Sequence, residues 1–248
     1  MEKRGQVTIF IIIAVLVVGA VALFFTLRGG VEKEEVYAPE VAPIQNYVQE
    51  CLEETTLDSI YFNSLQGGYF SAPRNSMDVS FVSVPVYFYN NVSRIPLKEV
   101  LENELSKTIE DGILFCLDFE SFEEQGYNVL TSGEPKVNVK MLEERVDVKM
   151  NYLVTLSKGD FSKQFKSFEK QVDFDYLGKY EVVKEFLQLQ ETDPEYVFLT
   201  ELENLGAEKG FNSKLVAIQD TGDYFYNFIY PAEINKEQTY MYSFVVKY

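Results

Sequence analysis

Carboxylates are the chemistry-bearing side chains that this sequence supplies most freely. The 248-residue chain has 39 Asp and Glu residues against 22 Lys and Arg, and it has no histidine. Without histidine it cannot build a Ser-His-Asp or Cys-His nucleophile pair, His-ligated zinc or His-held haem. Two cysteines are too few for a four-cysteine zinc site or an ordinary iron–sulfur cluster. We therefore predict no metal site and no cofactor, which leaves paired carboxylates as the catalytic alternative.

Asp220-Thr221-Gly222 is the triplet with the best-known catalytic interpretation, the Asp-Thr-Gly of aspartic proteases. That chemistry needs two such carboxylates sharing one proton, so a chain with a single copy would have to dimerise. The triplet lies between two predicted strands, where Asp and Gly are typical of a tight hairpin turn. We predict a turn, and a carboxylate-dependent hydrolase is the less favoured alternative.

Two further patterns resemble functional motifs only superficially. Ser167–Lys170 has the S-x-x-K spacing of Ser/Lys acyl enzymes but falls in a predicted strand, without the companion motifs. Asp173–Gly178 begins like a calcium loop but lacks the later ligands and the closing Glu. We therefore assign no catalytic residue and expect a protein that is not an enzyme.

An apolar segment near the start of the chain sets the predicted location. Residues 7–27 contain no charge, and about 20 residues of helix match a hydrocarbon core of about 30 Å. We predict a cytoplasmic segment (1–6), a transmembrane helix (7–27) and an acidic juxtamembrane linker (28–43). The alternative is a secretory signal cleaved after Ala22, although Leu23-Phe24-Phe25 extends the apolar run.

The residues before this segment resemble a known signal. Lys3-Arg4-Gly5-Gln6, followed at once by an apolar helix, is similar to the archaeal class III, type IV pilin-like signal. The resemblance implies cleavage between Gly5 and Gln6, with the apolar helix kept as an anchor or packed in a filament. Phe10 stands where that family usually has Glu, a departure that counts against the prediction of filament assembly more than against that of membrane retention. The whole layout also resembles uncharacterised single-span archaeal surface proteins.

The two cysteines are predicted to form a disulfide. Cys51 and Cys116 each lie on the apolar stripe of an amphipathic helix, and two such stripes are expected to face each other. The stripe that ends at Cys116 consists of Leu97, Leu101, Leu105, Ile109 and Gly112. In an oxidising compartment the bridge would close a loop of about 65 residues and stabilise the fold by about 4 kcal/mol. The alternative is a pair of reduced core cysteines. Asn91-Val92-Ser93 is a candidate glycosylation sequon that fits an outside domain.

Residues 44–248 are predicted to form a single α+β domain of antiparallel strands packed with about four helices. The clearest hairpin joins a strand over 145–156 to a partner extending from 161 to 176. A helix is predicted to begin with Asp193 as N-cap and Pro194 at the first position, and to end before Gly210. Three strands close the chain.

One closing strand is the expected recognition surface. Its residues alternate so that one face is wholly aromatic, and an uncovered face of this kind would bind protein or glycan. The aromatic residues are Tyr224, Tyr226, Phe228 and Tyr230. The other face carries Phe225 and Ile229.

Together these features predict a single-pass cell-membrane protein with its C-terminal domain outside and a binding, adhesion or envelope-complex role. A pilin-like filament subunit processed after Gly5 is the alternative. The expected partners are the lipid bilayer and a protein or glycan, with homo-oligomers formed through the N-terminal helix. A net charge of −17 repels phosphate backbones, so we expect no nucleic-acid binding. The Lys and Arg counts on the two sides of the apolar segment are nearly equal and do not fix its orientation.

Overall fold

A computed structural model describes most of the domain. The residues that it describes are Val17, 41–79, 82–218, 221–231 and 239–248. The chain divides into two units, Met1–Ala38 and Pro39–Tyr248. The predicted transmembrane helix, the Gly5–Gln6 cleavage site and the linker as far as residue 40 lie outside the described residues, apart from Val17. Within the described ranges, no helix is both long enough and apolar enough to cross a membrane.

The fold is α+β, as predicted, with four helices of more than ten residues in the described ranges. The helices are α1 (Ala42–Leu65), α2 (Lys98–Cys116), α3 (Glu120–Glu124), α4 (Tyr176–Thr192) and α5 (Leu199–Lys209). The strands are β1 (Ser76–Val79), β2 (Val82–Tyr89), β3 (Val92–Ser93), β4 (Asn128–Leu142), β5 (Arg145–Lys158), β6 (Phe161–Val172), β7 (Asn212–Ala217), β8 (Tyr224–Tyr230) and β9 (Tyr240–Val246).

The larger sheet contains one strand pair that the sequence did not predict. Its order is β1-β2-β9-β8-β7, and β3 pairs with β2 outside this path. β2 and β9 run parallel, with Val86 opposite Val245, whereas the other pairs in the sheet are antiparallel. The hairpin argument for antiparallel pairing holds only for short connections, and most of the domain lies between these two strands.

The smaller sheet contains the predicted hairpin, in the order β4-β5-β6. Alternate residues of β5 are buried, as the apolar alternation requires. β6 ends at Val172, earlier than expected, because Asp175 caps the next helix by accepting a hydrogen bond from the Gly178 N–H at 2.8 Å. Phe174 is therefore a buried residue of the loop between β6 and α4, and Tyr176 is a buried residue at the start of α4. The Asp173–Gly178 pattern belongs to this helix start.

The predicted helix after Asp193 begins five residues later than expected, at Leu199. The cause is Gln190, which is fully buried and donates hydrogen bonds from Nε2 to the carbonyls of Asp193 (3.2 Å) and Tyr196 (2.8 Å). These bonds hold Pro194 in a turn. The predicted end is correct, because Gly210 adopts a left-handed φ of 75° directly after α5.

Candidate functional site

The site begins with the disulfide between Cys51 of α1 and Cys116 of α2, whose Cα atoms lie 5.7 Å apart. The structure thus contains the predicted bridge. The Tyr47 hydroxyl reinforces it by donating to the Cys116 carbonyl at 2.7 Å and accepting from the Asp118 N–H at 2.8 Å. These contacts fix the C-terminal end of α2 against the start of α1.

The two helices stay close along their length because small and hydroxyl-bearing residues meet between them. A Cβ atom on Gly112 would lie 3.1 Å from Cγ2 of Thr55, which leaves little room for a larger residue. Farther along, the Thr108 hydroxyl donates to Asn63 Oδ1 at 2.7 Å. Asn63 is fully buried, and its Nδ2 has no hydrogen-bond partner among the described residues.

Three side chains on another face of α2 hold the helix against the edge strand β4. Glu102 Oε1 accepts from the Met141 N–H at 2.9 Å and Ser106 Oγ accepts from the Val139 N–H at 3.2 Å. Glu110 Oε1 accepts from the N–H of Val137 at 2.8 Å. Four residues of helix rise about 6.0 Å and two residues of strand about 6.6 Å, so the acceptors match alternate edge N–H groups. We call these three hydrogen bonds the β4 ladder, and they fix α2 against the edge of the small sheet.

A groove of about 450 Å³ lies between α1 and α2, on the side where both helices are exposed. It is lined by Glu54, Thr55, Asp58, Ser59, Phe62, Phe70, Thr108, Asp111, Gly112, Phe115 and Cys116. We call this the α1–α2 groove. Its lining combines buried hydroxyl-bearing residues and a glycine with three phenyl rings and three carboxylates.

Two of the three phenyl rings of the groove reach solvent to an unusual degree, while Phe70 is half-buried. Phe115 is 89% exposed and Phe62 is 45% exposed, although both lie in helices that pack into the domain. Phe70 follows α1 in the chain, and its backbone N–H donates to Glu104 Oε2 at 3.1 Å. Lys107 pairs with the other oxygen of Glu104 at 2.5 Å. The position of Phe70 is therefore fixed by the same helix that carries Phe115.

The charged side chains that line the α1–α2 groove are all acidic, namely Glu54, Asp58 and Asp111. Residues 42–65 contain four carboxylates and residues 110–124 contain six, and neither stretch contains Lys or Arg. Two of the ten pair with lysines from the small sheet, Glu53 with Lys170 and Glu110 with Lys136. Within the described ranges no cluster of three or more His, Cys, Asp or Glu side chains could hold a metal ion. The arrangement is suited to holding a cationic group beside an apolar one.

The aromatic strand that we expected to be a binding surface is part of the core. Tyr226 and Phe228 are fully buried, Tyr230 is nearly so, and Tyr224 is half-buried. Phe186 of α4 lies 5.2 Å from the Tyr226 ring, centroid to centroid, and Phe211 stacks on Phe228 at 4.4 Å. Helix α4 covers a face that the sequence could not show to be covered.

The opposite face of the aromatic strand is also partly packed. Phe225 contacts a small cluster that contains Val84, Val86 and Val245. Ile229 is half-buried.

The candidate glycosylation site lies where a glycan could attach. Asn91 is exposed, and together with Asn90 it forms the two-residue turn between β2 and β3. Both residues have positive φ, 54° for Asn90 and 63° for Asn91, as a type I′ turn requires.

None of the described residues of the remaining motifs lines the α1–α2 groove. Asp220 lies outside the described residues, while Gly222 has a positive φ of 76° just before β8. Ser167 is in β6, and Lys170 of the same strand pairs with Glu53 at 2.5 Å.

A second cleft, of about 570 Å³, lies between α5 and β7. Pro231 on its wall precedes residues 232–238, which lie outside the described residues. We assign no site there.

Sequence reasoning missed the phenyl rings of the α1–α2 groove. Phe115 was the detectable one, because it lies off the apolar stripe of α2, next to Cys116. Phe62 and Phe70 gave no such signal, since each resembles an ordinary core residue. Comparisons with protein-family models, curated proteins and solved structures find no significant match to this chain.

Proposed function

We propose that this protein is a membrane-anchored, extracytoplasmic binding protein that presents the α1–α2 groove to a partner. Residues 7–27 would hold the chain in the bilayer, and the domain from residue 44 onward would lie outside the cytoplasm. The observation that carries the proposal is the disulfide between Cys51 and Cys116, which joins the two helices that form the groove.

Two independent features support this location. Structural disulfides persist in oxidising compartments and are rare in the cytosol, so the bridge favours an exported domain. The uncharged stretch over residues 7–27 has the length and composition of a membrane span. The exposed Asn90–Asn91 turn, which carries the sequon, is compatible with such a location.

Binding is a better assignment for the groove than catalysis. Exposed aromatic side chains are enriched in the centres of protein interfaces, and three phenyl rings line this one cleft. Helices that are cross-linked and backed by the β4 ladder would keep the rings in place, so a partner would meet a preorganised surface.

The location can be tested on the full-length protein in cells. We expect it in the membrane fraction, cleaved by protease added outside the cell, and unreactive to a thiol-alkylating reagent until it is reduced and denatured. The matched control is Cys51→Ser, which leaves one thiol that is alkylated on denaturation without a reductant. Recovery in the soluble cytosolic fraction, with both thiols alkylated without a reductant, would overturn the proposal.

The Arg4-Gly5-Gln6 resemblance favours a second candidate, a pilin-like filament subunit. The mass of the mature N-terminus tests it together with electron microscopy of the cell surface. Cleavage after Gly5 with filaments that contain this chain would support the second candidate. A membrane-retained chain without filaments, whether intact or beginning at Gln6, is the result expected for the anchored binding protein.

A further inference from the structure

We infer that the α1–α2 groove recognises a positively charged segment of another protein, with apolar side chains placed among the phenyl rings and Lys or Arg placed against the carboxylates. This inference rests on the proposed function, since it names the class of partner for the same site. Two independent properties of the groove, its apolar wall and its charge, lead to it.

The apolar requirement comes from the three phenyl rings, of which Phe62 and Phe115 are exposed and Phe70 is half-buried. Single exposed hydrophobic residues are ordinary on a protein surface, but Phe62, Phe70 and Phe115 line one concave site. Leu114, beside Phe115 on α2, is also exposed, at 51%. A cleft of about 450 Å³ has room for a few side chains rather than for a whole domain, so the partner contributes an anchoring segment.

The charge requirement comes from the rim. Glu54, Asp58 and Asp111 line the α1–α2 groove, and no basic side chain is among the described residues that line it. A desolvated anionic partner would be repelled by these carboxylates, whereas a cationic one gains Coulomb energy and a faster association rate. Arg adds a planar guanidinium that stacks on phenyl faces while it pairs with a carboxylate.

Charge also argues against three other occupants, namely a second copy of this chain, its own residues 28–40 and an anionic lipid surface. A second copy of this chain brings a net charge of −17 and the same acidic helices. The chain's own residues 28–40 carry four carboxylates against Arg28 and Lys33, so they too are net acidic. An anionic lipid surface is repelled for the same reason. A basic, apolar segment of a different protein satisfies both requirements.

The test uses the full-length protein in uncharged detergent micelles and fluorescent synthetic peptides of known sequence. The probe has about twelve residues, with Arg residues flanking two Leu residues. One matched peptide replaces each Arg with Glu, and another replaces each Leu with Ser. We expect saturable binding of the probe in the micromolar range, weaker by about tenfold or more for either matched peptide and weakened by salt.

Variants of the groove show whether the peptide binds there. Phe115→Ser and the double variant Asp58→Asn/Asp111→Asn should each weaken binding by about tenfold or more. These residues are exposed, so the circular dichroism spectrum and the melting temperature should be unchanged. The matched controls are Leu199→Ser and Glu195→Gln, which alter exposed residues at and before α5 and should bind the probe as the parent does.

Several results would overturn the inference. Equal binding of the Arg and Glu peptides, or full binding by both groove variants, would exclude a cationic segment at this site. Phe115-dependent binding to anionic lipid vesicles would make the occupant a membrane, and Phe115-dependent self-association would make it a second copy. None of these results affects the fractionation and alkylation experiment, so the proposed function can fail or stand separately.

Discussion

Gln190 is a single side chain that changes the local structure of its surroundings. Its Oε1 accepts from the Tyr248 hydroxyl at 2.8 Å, while its Nε2 binds the turn that follows α4. In the sequence it stands among other polar residues, and in the structure it lies near the end of α4. The Asp193-Pro194 start signal was sound by local rules, and it failed because a buried amide from the previous helix holds that segment in a turn.

Gly206 and Gly210 are glycines for two different reasons, a close contact at Gly206 and a left-handed backbone at Gly210. A Cβ atom on Gly206 would lie 2.6 Å from the Phe211 carbonyl oxygen, whereas a Cβ atom on Gly210 would contact nothing within 4 Å. Gly210 instead has a φ of 75°. We expect Gly206→Ala to lower the free energy of unfolding by about 2 kcal/mol through the clash.

The measurement is urea denaturation of each variant, followed by circular dichroism. Gly210→Ala serves as the comparison and should cost about 1 kcal/mol, because only the left-handed backbone is strained. Equal losses for the two variants would contradict the steric explanation for Gly206.

At the scale of elements, α2 has one face in the core, a second that forms the ladder with β4 and a third that lines the α1–α2 groove. One face provides Leu101, Leu105 and Ile109 to the core, as the helical spacing predicted. Leu97 was assigned to the same stripe, but it precedes the helix and is 70% exposed. The ladder face was not predictable, since Glu102, Ser106 and Glu110 look like ordinary solvent-facing residues until the edge strand is known.

The ladder can be tested at its centre. Ser106→Ala removes the acceptor of the Val139 N–H, and both residues are buried, so we expect a loss of about 1–3 kcal/mol in the free energy of unfolding. Ser121→Ala, at an exposed position of α3, is the matched control and should change stability by less than about 0.5 kcal/mol. A neutral Ser106→Ala in urea denaturation would show that the ladder contributes nothing measurable.

At the scale of the whole molecule, the α+β class, the β5–β6 hairpin and the paired cysteines followed from periodicity and spacing, whereas strand β4 was not predicted. The parallel β2–β9 pair was not predicted either, because its partners are distant in the chain. The candidate site was the part of the molecule that could be predicted least well from the sequence. A groove is a property of two helices together, whereas the aromatic strand that attracted attention is buried by α4, whose position the sequence does not encode locally.

The buried tyrosines make stability sensitive to alkali. Burial raises the pKa of Tyr248 to about 12, and it raises the pKa values of eight others above their ordinary value of about 10. These are Tyr69, Tyr87, Tyr176, Tyr180, Tyr226, Tyr230, Tyr240 and Tyr242. In the unfolded chain they ionise near pH 10, so their contribution to stability is complete below that pH and is lost as the pH rises above it.

Tyrosinate absorbance and circular dichroism, followed together from neutral pH upward, check this expectation. The absorbance should stop short of the value for all 17 tyrosines while the fold is intact, and should reach it only as the circular dichroism signal is lost. Tyr242→Phe should reduce the absorbance change in the second step by the contribution of one tyrosine. Ionisation of every tyrosine in a folded chain would contradict the burial described above.

The Glu102–Ser106–Glu110 ladder has a consequence for how this protein behaves at high concentration. A long edge strand with free N–H groups can recruit an extended segment from another molecule and start a cross-β stack. Along Val137–Met141 those groups are already bonded to α2. Here the edge cannot act as a template for fibril growth unless α2 first detaches, and the disulfide at its end opposes that step.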